Sequence, residues 1–284
     1  MLRTRLWMGA VLIALSIGVL VVDQYLAPWY PFLFVVVLGL ALAACHEVLG
    51  LLGPDRQPPG WLCYGGVTTL IGTNWLVHVV PALAATSPWP WIAGVLAGFL
   101  LTAFLAEMSV FQEPGGSVMR IALAFWLVGY LGLLPSFLAQ LRWLPDTGGV
   151  QRSTVALALV FFVPKICDSG AYFTGRLLGR HKMTPVLSPK KTWEGAAGGL
   201  AAAVGGAIGI NQLGPAIPGG LAGAAAFGAV IAVVAMLGDL AESLIKRDCQ
   251  KKDASQAMPG FGGVLDVVDS IVFAAPVAYW WLSY

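Results

Sequence analysis

The sequence predicts an all-α, polytopic integral membrane protein with about nine transmembrane helices. Charged residues make up 11% of the 284-residue chain, against roughly a quarter in soluble domains. Hydrophobic residues make up 58%, and the mean hydropathy is +0.81. A soluble fold of this composition would expose more apolar surface than monomers tolerate. We therefore expect the bilayer to be the solvent for most of the chain.

Long runs without Asp, Glu, Lys or Arg locate the expected spans. A charge at the bilayer centre costs about 2.5 to 3.5 kcal/mol, and a span needs about 20 residues. Two runs, residues 57–106 and 195–238, are long enough for two helices each and are divided where Pro, Gly and polar residues cluster. The nine spans are then 6–22, 29–50, 61–83, 91–106, 119–140, 152–167, 194–211, 220–238 and 264–283.

The basic residues predict a cytosolic N-terminus. In that orientation 14 of the 16 Lys and Arg residues lie in the cytosol, and only Arg142 and Arg152 lie outside, as the positive-inside rule requires. Arg3 and Arg5 precede the first apolar segment, but no A-x-A cleavage site follows it. We therefore expect an uncleaved anchor rather than a signal peptide.

Net charge and cysteine spacing exclude other classes of protein. A net charge of +2 is too small to suggest nucleic-acid binding. The four cysteines contain no C-x-x-C pair, so neither a zinc site nor a disulfide framework is indicated. Pairs such as Gly195/Gly199 and Gly205/Gly209 have the G-x-x-x-G spacing, which predicts close packing between spans.

Charge is concentrated in two windows, residues 165–194 and 239–269. Together they hold 18 of the 30 charged residues, ten cations and eight carboxylates. Flanks that satisfied only the positive-inside rule would be basic, whereas these windows place carboxylates at the ends of spans. This mixture predicts a polar site at the cytosolic face.

The first window has the composition of a phosphate-binding segment. Glycines 170, 175 and 179 are expected to free the backbone to approach an anion, and the cations supply charge-assisted donors. Thr192 is the expected N-cap of the next helix. Contact with lipid headgroups remains the alternative for one or two of the cations. The candidate residues are Asp168, Tyr172, Arg176, Lys182, Ser188, Lys190 and Lys191.

The spacing of the carboxylates in the second window is typical of metal ligands. If the eighth span continues as a helix past Gly238, four polar residues fall on one stripe. These are Asp239, Glu242, Ser243 and Lys246. Asp266 and Asp269 share a face of the last span by the i, i+3 rule. Carboxylates beside a phosphate-binding cluster are typical of a Mg²⁺ site.

We expect Asp239, Asp266 and Asp269 to hold one or two Mg²⁺ ions. Glu242 is expected instead to form a solvated i, i+4 pair with Lys246, which contributes little. Glu47, at the cytosolic end of the second span, is not assigned to the site.

The second window also follows an ordered pattern. It reads Ser243-Leu-Ile-Lys-Arg, four residues, Lys252-Asp-Ala-Ser-Gln-Ala-Met-Pro-Gly-Phe-Gly-Gly-Val-Leu-Asp-Val-Val-Asp269. This resembles the signature of the phosphatidate cytidylyltransferase, or CDP-diacylglycerol synthase, family. The first window is similar to a further stretch of that family, D-[ST]-G-A-Y-x-x-G-R followed by S-P-K-K-T-x-E-G. The resemblance covers about residues 150–284. Met258, Phe261 and Val267 depart from the signature, which usually has Leu, Ile or Phe, then His, then Arg.

The resemblance implies transfer of the cytidylyl group of CTP to phosphatidic acid, giving CDP-diacylglycerol and diphosphate. We expect Asp239, Asp266, Lys190 and Lys246 to be catalytic. Asp168 and Tyr172 are expected to position the ribose or the base. The other expected substrate-binding residues are Arg176, Lys182, Ser188, Lys191, Ser243, Arg247 and Lys252.

The expected partners are CTP, phosphatidic acid of the cytosolic leaflet and membrane lipids, without nucleic acid. We expect N-terminal transmembrane helices in residues 1–150 and the catalytic region in residues 151–284, in a bacterial inner membrane with the site facing the cytosol. A homodimer is left open. Two other functions also remain open: a CTP-dependent polyprenol or phytol kinase, and a transporter, which would need midplane charges and broken helices.

Overall fold

The computed structural model describes residues 2–54, 56–145, 152–255, 257–258 and 262–283. Helices dominate these ranges. They are α1 (Leu2–Asp23), α2 (Pro31–Leu51), α3 (Gly60–Val79), α4 (Pro88–Val110), α5 (Ser117–Val128), α6 (Leu134–Gln140), α7 (Arg152–Leu178), α8 (Trp193–Asn211), α9 (Gly220–Asp248) and α10 (Leu265–Ser283). Short 3₁₀ turns cover Gln24–Leu26 and Leu141–Trp143, and a π turn, Gly129–Leu133, joins α5 to α6. An antiparallel hairpin, β1 (Lys182–Thr184) and β2 (Ser188–Thr192), connects α7 to α8.

Seven helical segments are long and apolar enough to cross a membrane. They are Trp7–Leu26, Pro31–Leu51, Pro88–Val110, Ser117–Trp143, Arg152–Leu178, Gly220–Asp248 and Leu265–Ser283. The all-α, polytopic prediction is confirmed. The predicted spans 61–83 and 194–211 form α3 and α8, which are not among these seven segments. The count of nine and the cytosolic N-terminus stay predictions.

Close packing of small residues joins α7 to α8. A Cβ atom added to Gly199 would lie 2.9 Å from the carbonyl oxygen of Cys167, and one added to Gly170 would lie 2.5 Å from the Cβ of Ala202. The predicted packing role of Gly195/Gly199 is therefore confirmed. At Gly205 and Gly209 an added Cβ would meet nothing within 4 Å, so the same spacing there marks no close contact.

The first window is a helix followed by a hairpin, not a glycine-rich loop. Because α7 continues to Leu178, Gly170 and Gly175 lie inside it. An added Cβ at Gly175 would lie 3.1 Å from the hydroxyl oxygen of Thr192. These glycines permit contact between helices, and the prediction that they free the backbone to bind an anion is wrong.

Thr192 ends the hairpin and begins α8. Its hydroxyl oxygen accepts a hydrogen bond from the backbone N–H of Gly195 at 3.1 Å, which confirms the predicted N-cap. The carboxylate of Glu194 accepts the backbone N–H groups of Arg180 and His181 at 3.1 and 3.2 Å. The hairpin is thereby attached firmly to the first turn of α8.

Candidate active site

Three carboxylates meet where α9 packs against α10. The helix α9 continues through Gly238, where an added Cβ would lie 2.8 Å from the backbone oxygen of Asp269. This close approach brings Asp239 and Glu242 of α9 to Asp269 of α10. One oxygen from each of the three lies within 4.8 Å of the others. Glu242 and Asp269 are buried and Asp239 is half-buried. We call these three residues the acidic cluster.

Asp266 lies beside the acidic cluster. Its Oδ1 accepts a hydrogen bond from Nζ of Lys246 at 2.6 Å, and its Oδ2 accepts the backbone N–H of Gly263 at 2.7 Å. The structure therefore groups Glu242, rather than Asp266, with Asp239 and Asp269.

The predicted pair between Glu242 and Lys246 does form, at 2.6 Å. It is not solvated, because only 1% of the Glu242 side chain and 10% of the Lys246 side chain are exposed. The expectation of a weak, solvated pair is wrong. The carboxylate and the ammonium lie inside the protein, where a charge without a partner is costly.

Two further lysines reach the cluster from other elements. Nζ of Lys165, on α7, lies 3.6 Å from Oδ1 of Asp269 and 3.2 Å from Oδ2 of Asp168, and it donates to the Ser270 hydroxyl at 2.7 Å. Nζ of Lys191, on β2, lies 2.8 Å from Oδ2 of Asp239. Each carboxylate of the cluster thus has a lysine beside it, which offsets the cost of burying negative charge.

The acidic cluster lines one part of a cavity of about 900 Å³. Its apolar lining comes mainly from α1, α2 and α10, with Leu12, Val19, Leu33, Val37, Ile271 and Val272 among the contributing residues. The charged lining comes from α7, α9 and α10, namely Lys165, Asp168, Asp239, Glu242, Lys246, Asp266 and Asp269. The cavity therefore suits a ligand with a charged head and an apolar tail. Residues from both predicted regions line it; the predicted division at residue 150 falls outside the described residues and stays a prediction.

The acidic cluster has the donor chemistry of a Mg²⁺ site. Carboxylate oxygens are hard ligands, and Mg²⁺ is usually held by one or two carboxylates together with water and substrate phosphates. Three such oxygens converge within 4.8 Å. The residues present therefore fit the expected cation.

Lys190 does not reach the cluster. It is exposed, next to Lys191 on β2, and successive side chains of a strand point to opposite faces. Among the described residues it has neither an ion-pair nor a hydrogen-bond partner. Of the two neighbouring lysines, Lys191 contacts the acidic cluster and Lys190 does not. The structure therefore does not support a catalytic role for Lys190.

The other predicted substrate-binding residues surround the site at different distances. Arg176 donates to the Tyr172 hydroxyl at 3.0 Å, and both side chains are exposed on α7. Arg247 donates to the carbonyl oxygens of Leu187 and Lys251 at 3.4 and 3.2 Å, so it joins the hairpin turn to the end of α9. Lys182 and Lys252 are exposed and Ser188 and Ser243 are half-buried; among the described residues, none of these four side chains forms a hydrogen bond or an ion pair with the cluster.

The signature departures have different positions. Val267 and Met258 both line the cavity. Phe261 lies outside the described residues.

The sequence profile of the cytidylyltransferase family matches residues 3–284. The chain belongs to the cytidylyltransferase family. The match includes the N-terminal helices, which the motifs alone did not cover.

Curated members of the family are similar to most of the chain. The phosphatidate cytidylyltransferase of Brucella suis is 46% identical over 202 residues, which are 67% of this chain and 71% of the relative. That of Pseudomonas aeruginosa is 31% identical over 251 residues, 76% of this chain and 90% of the relative. That of Mycobacterium tuberculosis H37Rv is 30% identical over 297 aligned positions, 96% of this chain and 80% of the relative.

Sequence reasoning missed three residues at the site of this cytidylyltransferase family member. They are Lys165, Glu242 and Ser270. A lysine inside an otherwise apolar helix, one turn before Asp168, was the available signal for Lys165. Glu242 was on the predicted stripe but was assigned to a surface pair. No local pattern indicates Ser270, because its partner Lys165 is far away in the sequence.

Proposed function

We propose that this protein transfers the cytidylyl group of CTP to phosphatidate, forming CDP-diacylglycerol and diphosphate. One observation carries the proposal: the same cavity has an apolar lining from α1 and α2 and a charged lining of carboxylates and lysines. A diacyl lipid with a phosphate head needs both surfaces. Membership of the cytidylyltransferase family and the names of the relatives support the same reaction.

The lipid would bind with its acyl chains along α1 and α2 and its phosphate beside Lys165 and Lys246. Both ammonium groups lie in the charged lining, and a low-dielectric site strengthens their attraction for phosphate. Lys191, on the hairpin, would contact the triphosphate of CTP. Asp168 and Tyr172 remain the proposed contacts for the ribose or the base, and the exposed Arg176 remains a proposed substrate contact.

Asp239, Asp269 and Glu242 would hold Mg²⁺. Asp266, also predicted from the sequence as a Mg²⁺ ligand, lines the same cavity and bonds to Lys246; we propose it as a ligand of a second ion. When bound, Mg²⁺ neutralises charge on the triphosphate and on the leaving diphosphate.

The reaction needs alignment more than acid–base chemistry. A phosphate monoester is already anionic at neutral pH, so its oxygen attacks the α-phosphorus of CTP without a general base. A bond forms between that oxygen and the phosphorus, the bond to the bridging oxygen breaks, and its electron pair leaves with diphosphate. The lysines bring the two polyanions together and hold them in line.

The reaction would take place at the cytosolic face of a bacterial inner membrane, with phosphatidate from the cytosolic leaflet. In the predicted nine-span topology, 14 of the 16 basic residues lie on one side of the membrane; this prediction and the bacterial relatives support the proposed placement. It also gives the site access to cytosolic CTP.

The test follows the label of CTP into lipid. Purified protein in vesicles receives CTP labelled on the α- or the γ-phosphate, with phosphatidate or a polyprenol, with and without Mg²⁺. We expect Mg²⁺-dependent transfer of the α-label to phosphatidate. Transfer of the γ-label to the alcohol would show a kinase instead.

The metal assignment is tested by Asp269→Asn, with Asp248→Asn as the control. Asp248 is an exposed carboxylate at the end of the same helix as Asp239 and Glu242. Asp269→Asn should reduce activity by at least about 100-fold, and the control should retain it. Full activity of Asp269→Asn would refute the assignment.

A further inference from the structure

Glu47 is a buried carboxylate of α2 whose partners all belong to the segment that leads into α10. It is 7% exposed. Its Oε1 accepts the Ser255 hydroxyl at 2.5 Å and the backbone N–H of Val264 at 2.8 Å, and its Oε2 accepts the backbone N–H of Leu265 at 2.8 Å. The site described above does not use this residue.

These hydrogen bonds make Glu47 a cap for α10 supplied by a distant part of the chain. Leu265 is the first residue of α10, and the first N–H groups of a helix have no partner inside the helix. A carboxylate at this end also interacts favourably with the helix dipole. A glutamate more than 200 residues earlier in the sequence thus does what a local Ser, Thr or Asp usually does.

Gly263 lets the carboxylate come this close. A Cβ atom added to Gly263 would lie 2.5 Å from Oε2 of Glu47. That oxygen is held by a hydrogen bond, so it has little freedom to move away. This contact gives the second glycine of the Gly262-Gly263 pair a physical reason.

The first turn of α10 carries the acidic residues of the site. Asp266 follows Leu265 directly and bonds to Lys246, and Asp269 lies one turn later in the acidic cluster. The bonds that fix the backbone at Val264 and Leu265 therefore fix how α10 is rotated about its axis and where it begins. The positions of both carboxylates follow from these two properties of α10. A displacement of about 1 Å at a reacting centre can cost about 100-fold in rate.

We propose that Glu47 is a positioning residue that sets the first turn of α10 and, through it, the place of Asp266 and Asp269 relative to Asp239. The inference rests on the proposed function for its activity measurement. Glu47 belongs neither to the acidic cluster nor to the lining of the cavity; it acts through the backbone of Val264 and Leu265. Loss of such a supporting contact typically costs 10- to 100-fold in activity or metal affinity.

The experiment compares Glu47→Gln and Gly263→Ala with Glu107→Gln. The glutamine puts an amide donor where backbone donors converge, and the alanine displaces the carboxylate from the other side. Glu107, on α4, is the control glutamate because it is also buried, at 4% exposed. It pairs with Arg120 of α5 at 2.6 Å and does not line the cavity. Each full-length variant is measured for CDP-diacylglycerol formation, for Mn²⁺ binding by electron paramagnetic resonance, for amide exchange of residues 262–268 and for thermal unfolding.

Both test variants should lower kcat by about 10- to 100-fold, with KM for phosphatidate within about twofold, and weaken Mn²⁺ binding by about 10-fold. Amide exchange at Val264 and Leu265 should accelerate. The control should keep kcat and Mn²⁺ affinity even where its thermal stability falls. Unchanged kcat and Mn²⁺ affinity in a folded Glu47→Gln or Gly263→Ala protein would overturn the proposal, and Gly263→Ala decides it where Glu47→Gln fails to fold. Wild-type protein that forms no CDP-lipid would refute the proposed function, and the Mn²⁺ and exchange measurements would still judge Glu47.

Discussion

Nζ of Lys191 lies 2.8 Å from Oδ2 of Asp239, which joins the β-hairpin to the acidic cluster of α9 and α10. The hairpin is attached to α8 through the Thr192 cap and the Glu194 bonds. The bonds between the hairpin and α8 therefore hold Lys191 in place. Its contact with Asp239 forms where the hairpin meets α9.

The neighbouring lysines of β2 should have different effects when removed. Lys191→Ala should reduce kcat by at least about 10-fold, because Asp239 loses its cation and the triphosphate loses a charge-assisted donor. Lys190→Ala removes the same charge from the opposite face and should stay within about twofold. Steady-state kinetics with varied CTP check this. Equal losses in the two variants would contradict the assignment.

Removal of Lys246 should destabilise the protein strongly. Lys246→Met leaves Glu242 and Asp266 without the ammonium group that each contacts at 2.6 Å. Breaking a buried ion pair from one side costs about 3 to 5 kcal/mol. Lys251→Met, which removes an exposed ammonium group just after α9, is the matched control and should leave stability within about 0.5 kcal/mol. Thermal unfolding of the two variants in the same detergent gives the comparison.

The contact between α7 and α8 should tolerate no side chain at Gly199. A Cβ there would lie 2.9 Å from a backbone oxygen, whereas at Gly205 it would meet nothing within 4 Å. Gly199→Val should lower the free energy of unfolding by about 1 to 3 kcal/mol. Gly205→Val should leave the free energy of unfolding nearly unchanged. Thermal unfolding and the yield of folded protein are the measurements. A neutral Gly199→Val would show that the helices can move apart freely.

Chelation of divalent cations should abolish activity with little effect on folding. Lys165, Lys191 and Lys246 each contact a carboxylate of the site, so the acidic residues keep partners without the metal. We expect EDTA to change the free energy of unfolding by less than roughly 1 kcal/mol. For a protein of this size, that change corresponds to about 2 to 4 °C in the unfolding temperature. A larger shift would indicate that the metal is required for folding as well as for catalysis.

Local spacing predicted part of the geometry of the candidate site, while the roles of its residues stay predictions. Asp239, Glu242 and Lys246 lie on one face of α9 because the helix repeats every 3.6 residues, and Thr192 caps α8 as its position indicated. The glycines of the first window were misinterpreted, because a glycine that admits a ligand and a glycine that admits a neighbouring helix look alike in a sequence. Gly170 and Gly175 meet α8 and Thr192.

The sequence by itself determined the membrane class of the protein, its family and the residue types of the site. Scarce charge, apolar runs and motif spacing are properties of the chain alone. Only the tertiary structure decided that Glu242 joins Asp239 and Asp269 while Asp266 pairs with Lys246, that Lys191 rather than Lys190 reaches the cluster, and that Glu47 caps α10. Helical periodicity fixes neighbours within one helix, but contacts between helices depend on how closely and at what rotation the backbones pack, and here Gly238 and Gly263 set those approaches.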